Sequence, residues 1–191
     1  MKKLKYMDQL IQEISDALST VDDEQVDKLT QAILDAPHIF ISGSGRSGLS
    51  IREFAMRLMH MGLPVYVLGE VVTPGLQAGD LLIIASGSGE TGCQKVFAQK
   101  TKEMGGKIGL VTIAPGSTID QLADYSVYIN APATKLNRLH RDGDIKVHSI
   151  QPMASLFEQC VLLVLDLVIV RLMDKRGMDS DEMFCNHVNL E

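Results

Sequence analysis

The fold class of this chain is decided by residues 81–91, which read LLIIASGSGET. Five consecutive apolar residues are typical of a strand that helices cover on both faces of a sheet. The turn that follows leads into residues 90–104, whose pattern predicts a helix that ends at Gly105 and Gly106. A strand, a short turn and a helix in this order indicate a parallel α/β protein.

The same alternation continues on both sides of this stretch. Short β-branched runs predict strands, and the amphipathic segments between them predict helices. Further strands are expected at residues 38–41, 64–68, 108–113 and 125–130, with helices at 48–61 and 118–123. We therefore predict a three-layer α/β/α protein with a five-stranded parallel sheet, which is a flavodoxin-like fold.

Helices are also expected before and after this sheet, within a single domain of 191 residues. The N-terminal helices fall in residues 1–36, the α/β core in 37–131, and the C-terminal helices in 150–191. The polar stretch between residues 131 and 151 is interpreted as a solvated loop rather than a substrate lid.

The C-terminal part contains one long predicted helix, from Pro152 to Lys175, with Gly177 in its C-cap region. Asp179 and Glu182 predict a capping box for a last short helix. Residues 161–170 of the long helix are apolar on almost every side. A helix of this kind needs a partner beyond its own sheet, so burial within the chain and a homo-oligomer are equal alternatives.

Composition excludes several classes of function. Hydrophobic residues make up 46% and charged residues 22% of the chain, and the net charge of -6 repels nucleic acid. The three cysteines form no CxxC or His/Cys motif, so neither a disulfide framework nor a metal site is predicted. No secretory segment or membrane span is predicted, and the cytoplasm is the simplest compartment.

The second loop, which we define as residues 86–91, has the composition of an oxyanion-binding turn. Gly87 and Gly89 allow the backbone to curl so that successive N–H groups face one point. Ser86, Ser88 and Thr91 add hydroxyl donors, and the start of the next helix adds partial positive charge. An ordinary capped loop is the alternative, but this combination of residues favours a phosphate.

The first loop, residues 42–48, reads SGSGRSG and follows the first strand. It matches the dinucleotide-binding pattern G-x-G-x-x-G, with Glu70 near the position of a ribose-binding acid. The short chain and the second serine-rich loop disfavour a dinucleotide. We instead predict that Ser44, Arg46 and Ser47 bind the same phosphate-bearing ligand as the second loop, in a cleft at the carboxyl ends of neighbouring strands.

These motifs resemble sugar isomerase (SIS) domains, and more closely the 6-phospho-3-hexuloisomerases. The resemblance lies in residues 43–49, 54–60, 87–91, 151–153, 155–159 and 187–191. It implies a parallel sheet that binds sugar phosphate at its strand ends, with phosphate-binding hydroxyls at Ser47, Ser86, Ser88 and Thr91. It also implies interconversion of 3-hexulose 6-phosphate and fructose 6-phosphate in formaldehyde fixation, by a homotetramer without metal or organic cofactor.

Moving a carbonyl to the adjacent carbon requires a base for the C–H proton and an acid for the oxygens. Glu158, on an otherwise apolar helix face, is the candidate base, with simple stabilisation by the helix N-terminus as the alternative. His187 is the candidate acid, in its own chain or a neighbour's, because imidazole titrates near neutrality. Arg46 and Arg52 are candidates to screen the phosphate or contact sugar oxygens, and a solvated charge is the equal alternative for Arg52.

Two other functions fit the same resemblance. Another isomerase of this fold, such as arabinose 5-phosphate isomerase, would use the same two loops. A sugar-phosphate sensor would keep the loops but would not need Glu158 or His187. The presence of both residues favours the enzyme.

Overall fold

The structure, a computed structural model, describes residues 4–132 and 149–190. Five strands form one sheet: β1 Ile39–Gly43, β2 Val65–Val67, β3 Leu81–Ala85, β4 Lys107–Thr112 and β5 Tyr125–Tyr128. Their order is β2-β1-β3-β4-β5, and every neighbouring pair is parallel. The predicted five-stranded parallel sheet is therefore confirmed, in the flavodoxin-like order.

Helices precede, connect and follow these strands. In the described residues they are α1 Met7–Leu18, α2 Asp23–Asp35, α3 Gly45–His60, α4 Gly92–Glu103, α5 Ser155–Arg176 and α6 Ser180–Phe184. Helix α3 begins at Gly45 rather than at residue 48, so Ser47 lies in its first turn and not in a loop. The helix predicted at residues 118–123 is reduced to a 3-10 turn, Asp120–Leu122.

Alternate side chains of the strands face two separate cores. Ile39 and Ile41 of β1 pack in the larger core, which includes buried residues of α1, α2, α3 and α5. Phe40 points the other way, into a smaller core with Leu82 and with Ala98 of α4. Because both faces of the sheet are covered, the central strand β3 is apolar and buried throughout instead of alternating with polar residues.

Helix α5 packs against α1, α2 and α3 and ends at Gly177, whose φ of 62° gives the left-handed C-cap that was predicted. The capping box of α6, formed by Asp179 and Glu182, is also confirmed. The outer stripe of α5, which we define as Leu163, Leu167 and Val170, is 43%, 42% and 60% exposed. Packing within the chain therefore buries most of this helix but leaves one apolar stripe uncovered.

The polar stretch between residues 131 and 151 lies mostly outside the described residues, which omit 133–148. Its end is held by Glu13 of α1, whose carboxylate accepts hydrogen bonds from Ser149 Oγ at 2.7 Å and from the Ile150 amide at 2.8 Å. These bonds fix how the chain enters α5. Within 4–132 and 149–190, no helix is both long and apolar enough to cross a membrane.

Candidate active site

The first and second loops begin side by side in the sheet. Gly43 at the end of β1 is in register with Ala85 at the end of β3. The two loops therefore start from adjacent parallel strands that lie about 4.8 Å apart. Between β1 and β3 the strand order reverses, because β2 lies on the other side of β1. Ligands of open α/β sheets bind at such a switch point, outside the carboxyl ends of the strands.

The second loop is held in one conformation by its neighbours. Gly89 has a φ of 60°, and a Cβ atom there would lie 1.9 Å from Ser117 Oγ, so only glycine fits. The Gly87 carbonyl accepts a hydrogen bond from Thr112 Oγ1 at 3.1 Å, and the Gly89 carbonyl accepts one from the Ile119 amide. The loop is therefore shaped before any ligand arrives.

Several hydroxyl groups around the two loops lack the hydrogen bonds that such groups usually make within a protein. Ser44 and Thr91 are the N-cap residues of α3 and α4, yet neither side chain makes a capping hydrogen bond. Ser86 Oγ is buried and has no partner in the described part of the chain. An N-cap hydroxyl usually accepts from the first helical turn, so here both hydroxyls and helix N-termini stay available to an anion.

Two other residues predicted to bind the phosphate, Ser88 and Ser47, make contacts within the protein instead of having a free hydroxyl or a loop position. Ser88 Oγ accepts a hydrogen bond from the Glu90 amide at 3.2 Å and so shapes the turn. Ser47 is buried in the first turn of α3, where Gly48 lies so close to β1 that a Cβ atom on it would be 2.7 Å from the Gly43 carbonyl. This contact ties the start of α3 to the end of β1.

The candidate base Glu158 lies in the first turn of α5, next to the first loop. Its Oε2 atom is 2.8 Å from Arg46 Nε, and its side chain is 15% exposed. Its backbone carbonyl accepts a hydrogen bond from Ser50 Oγ of α3 at 3.1 Å. The sequence predicted an apolar helix face around Glu158 and missed the Arg46 partner, because no spacing rule links residues so far apart along the chain.

Arg52 and Glu90 each form an ion pair with a side chain outside the two loops. Arg52 Nη1 pairs with the exposed Glu70 carboxylate at 2.6 Å. This ion pair at the surface favours the alternative in which Arg52 is a solvated charge and not a ligand of the substrate. The Glu90 carboxylate accepts from the Thr118 amide at 2.7 Å and from Lys95 Nζ at 3.1 Å. Hydrogen bonds from Thr118, and then from Lys95, lower the pKa of Glu90, which stays ionised.

The candidate acid His187 lies at the other end of α3. Its ring stacks between those of His60 and Phe184, with centroids 5.3 Å and 5.4 Å away. Its Nδ1 atom is 3.0 Å from the Val188 carbonyl, which only accepts, so Nδ1 carries a hydrogen and Nε2 is the nitrogen left free. Because Arg46 and His60 occupy opposite ends of α3, about 20 Å apart along its axis, one chain does not bring His187 to Glu158.

His60 is a buried polar residue that the sequence did not single out. It is 4% exposed, and its Nδ1 atom is 3.2 Å from Arg57 Nη1. Since a guanidinium group only donates, Nδ1 must accept, and the ring is neutral. Burial, the Arg57 charge and His187 together lower the pKa of His60. The helical spacing of Arg57 and His60 was the one sequence signal for this pair.

The three cysteines lie within the described residues and are far apart in sequence. Cys93, Cys160 and Cys185 are free thiols, and burial raises the pKa of Cys160 to about 11. In the part of the chain that the structure describes, no three His, Cys, Asp or Glu side chains are grouped as metal ligands. Cys93 is exposed at the start of α4, with its Sγ atom 3.5 Å from Ser44 Oγ.

These features define a flavodoxin-like α/β protein with an oxyanion site at the switch point between β1 and β3. The chain belongs to the SIS domain family, whose sequence profile matches residues 32–165. It is 44% identical, over the full length of both proteins, to the 3-hexulose-6-phosphate isomerase of Bacillus subtilis strain 168. It is 40% identical to the enzyme of the same name from Mycobacterium gastri, covering 94% of this chain and 86% of that one.

A solved structure agrees with these relatives. The crystal structure of a protein from Methanococcus jannaschii, from which a function of 3-hexulose-6-phosphate isomerase was inferred, superposes with a TM-score of 0.80. It shares 34% sequence identity and covers 98% of this chain and 100% of its own. The SIS fold predicted from the two loops is therefore confirmed by family, by relatives and by architecture.

Proposed function

We propose that this chain is an isomerase that interconverts 3-hexulose 6-phosphate and fructose 6-phosphate. Its full-length relatives of that name support the substrate, and the observation that carries the proposal is the position of Glu158. This carboxylate lies beside Arg46 and the first loop, at the edge of the sheet where the hydroxyls of Thr91 and Ser86 are unused and that of Ser44 caps no helix. A proton acceptor therefore adjoins an anion-binding turn.

The phosphate group is held by local dipoles rather than by net charge, because the chain as a whole carries -6. The N-termini of α3 and α4 lie next to each other, since Gln94 Nε2 donates to Ser44 Oγ at 3.2 Å, and they supply partial positive charge. Hydroxyls of both loops, with the backbone N–H group of Gly87, donate to the phosphate oxygens, whereas the Gly89 N–H donates to the Ser86 carbonyl and shapes the turn. The proposed hydroxyl donors are Ser44, Ser47, Ser86, Ser88 and Thr91.

The reaction moves one carbon-bound proton and one hydroxyl proton. Glu158 takes the proton from C2 of the 3-ketose, and the electron pair of that C–H bond forms an enediolate across C2 and C3. Return of a proton to C3 and loss of the O2 proton give the 2-ketose, so no electrons enter or leave. Arg46, 2.8 Å from the carboxylate, supplies positive charge where the enediolate oxygens develop negative charge.

His187 is the proposed acid that moves the hydroxyl proton between O2 and O3. Its free Nε2 atom suits this role, but its place at the far end of α3 requires that it serve the site of a neighbouring subunit. The uncovered stripe of α5, Leu163, Leu167 and Val170, supports such a neighbour. We therefore propose a homotetramer, working in the cytoplasm as the second step of formaldehyde fixation, with no metal or organic cofactor.

The proposed assembly is tested by sedimentation of the purified chain at micromolar concentration. Leu167→Asp, on the uncovered stripe, should dissociate the tetramer, whereas Met104→Asp, at the exposed end of α4, should leave it intact. A wild-type chain that sediments as a monomer would contradict the tetramer and the shared site together.

The proposed reaction is tested in a coupled assay in which the substrate is synthesised in situ. Ribulose 5-phosphate and formaldehyde are joined by a hexulose-phosphate synthase, and the release of fructose 6-phosphate is followed after adding this chain. We expect rapid conversion, and none when arabinose 5-phosphate is supplied instead. Turnover of arabinose 5-phosphate alone would favour the other isomerase, and binding of fructose 6-phosphate without any turnover would favour a sensor.

A further inference from the structure

Gln94 of α4 joins the first and second loops through a buried hydrogen bond. Its side chain is 2% exposed, and its Nε2 atom donates to Ser44 Oγ at 3.2 Å. The same nitrogen lies 3.9 Å from Cys93 Sγ, within reach of its second hydrogen. Ser44 stands in the first loop, and Gln94 follows the second, so this bond crosses the cleft between them.

The other half of the Gln94 amide has no role in holding the fold together. Its Oε1 atom is buried and accepts no hydrogen bond from the described residues. A buried acceptor without a partner destabilises a protein, and an apolar side chain of similar length would avoid that cost. Stability therefore does not explain a glutamine here, and the hydrogen bond to Ser44 is the interaction that needs an explanation.

That hydrogen bond sets the direction of the Ser44 hydroxyl. An amide nitrogen can only donate, so Ser44 Oγ must act as the acceptor, and its own hydrogen is free to point elsewhere. Cys93 Sγ, 3.5 Å from Ser44 Oγ, is a weak acceptor that a charged oxygen would displace. Because Ser44 does not cap α3, its hydrogen is available to an anion in the cleft.

We propose that Gln94 is a positioning residue for substrate binding: it fixes Ser44 as a hydrogen-bond donor to a phosphate oxygen of the sugar phosphate. The inference rests on the proposed function, since it requires that the two loops bind that phosphate. It adds a residue that does not touch the ligand and acts only through Ser44.

The test compares Gln94→Met with the wild-type enzyme. Methionine keeps the length and packing of glutamine but cannot donate, so the Michaelis constant for fructose 6-phosphate should rise by about tenfold. Turnover number should change little, and the midpoint of thermal unfolding should stay the same or rise. The inhibition constant of inorganic phosphate should rise in parallel with the Michaelis constant. Gln99→Met, an exposed position on the same helix, is the matched control and should leave every value unchanged.

A double-mutant cycle with Ser44→Ala separates this inference from the proposed function. If Gln94 acts through Ser44, adding Gln94→Met to Ser44→Ala raises the Michaelis constant no further. Additive effects, or unchanged constants in Gln94→Met, would overturn the role of Gln94 while leaving the proposed function intact. An unaltered Michaelis constant in Ser44→Ala alone would instead remove Ser44 from the phosphate site. If Gln94→Met does not fold, Gln94→Leu provides the same comparison.

Discussion

The two ends of helix α3 satisfy their polar groups in opposite ways. At the N-terminal end, the Ser44 hydroxyl makes no capping bond, and Arg46 reaches across to the Glu158 carboxylate. At the C-terminal end, His60 is buried against Arg57, and the His187 ring is stacked against it. The first end has hydroxyls that cap no helix, whereas at the second end the His187 imidazole contacts two other rings.

This difference fits the proposed homotetramer, in which each site would combine residues of two chains. A flexible surface histidine near a chain terminus would not be stacked between two aromatic rings with its Nδ1 atom already bound. Since the binding loops lie about 20 Å away along α3, the proposed role of His187 as an acid requires the site of another chain.

The largest expected effect is on the base. Glu158→Gln keeps the shape of the side chain but removes its basicity, so the turnover number should fall about a hundredfold or more, with substrate binding retained. Exchange of the transferable carbon-bound hydrogen with deuterated water, followed by NMR, should disappear as well. Glu103→Gln, at the far end of α4, is the matched control with wild-type rates.

Two outcomes would contradict this assignment of Glu158. Full hydrogen exchange in Glu158→Gln would move the base to another residue, with His187 the next candidate. Loss of substrate binding together with turnover would mean that the carboxylate holds Arg46 and the first loop in place, and that its role is structural.

The next prediction tests directly whether the two ends of α3 serve different sites. Glu158→Gln and His187→Gln should each be nearly inactive alone, but co-expressed and assembled together they should recover activity. A mixed oligomer contains sites with an intact Glu158 from one chain and an intact His187 from another, about a quarter of all sites under random assembly. No recovery in a verified mixed oligomer would place both residues in the site of one chain, or remove His187 from the chemistry.

A smaller effect is expected at the phosphate end. Ser86→Ala and Thr91→Ala each remove a hydroxyl that the chain does not use for itself, and each should raise the Michaelis constant about tenfold or more. The fold should persist, because neither hydroxyl makes a hydrogen bond in the described residues that the substitution would break. Unchanged affinity for fructose 6-phosphate in the double variant would exclude the second loop from the phosphate site.

The parts of the fold that the sequence predicted are those set by local patterns. Residues 81–85 had to be a central strand, because an unbroken apolar run suits only a sheet covered on both faces. Gly177 and the Asp179–Glu182 capping box marked the end of α5 and the start of α6 for the same local reasons. The start of α3 was missed because glycines at residues 45 and 48 argue against a helix, whereas close packing on β1 requires glycine at 48 and a φ of 59° favours it at 45.

The candidate active site was predicted less completely, because the residues that contact each other there are far apart in the sequence. The residue types of the two loops pointed to an oxyanion, and strand register then placed the loops together. The ion pair of Arg46 with Glu158 and the stack of His60 on His187 join residues more than a hundred positions apart, which no periodicity can indicate. Leu165 lies in the apolar part of the helix for which burial within the chain and a second subunit were equal alternatives, and it is buried in the chain's own core.

The smallest expected effect concerns acid stability at the C-terminal end of α3. Burial, Arg57 and His187 hold the pKa of His60 below its ordinary value of 6.5, so the unfolded chain takes up this proton at a higher pH than the folded one. The free energy of unfolding should therefore fall as the pH drops from about 6.5 through the folded-state pKa. His60→Gln removes this linkage, so its urea-unfolding free energy should fall less than that of the wild type between about pH 7.5 and about pH 5.5. An equal fall in both proteins would mean that His60 titrates alike in the folded and unfolded chain, and the contrast between the two ends of α3 would then rest on the stacking of His187 alone.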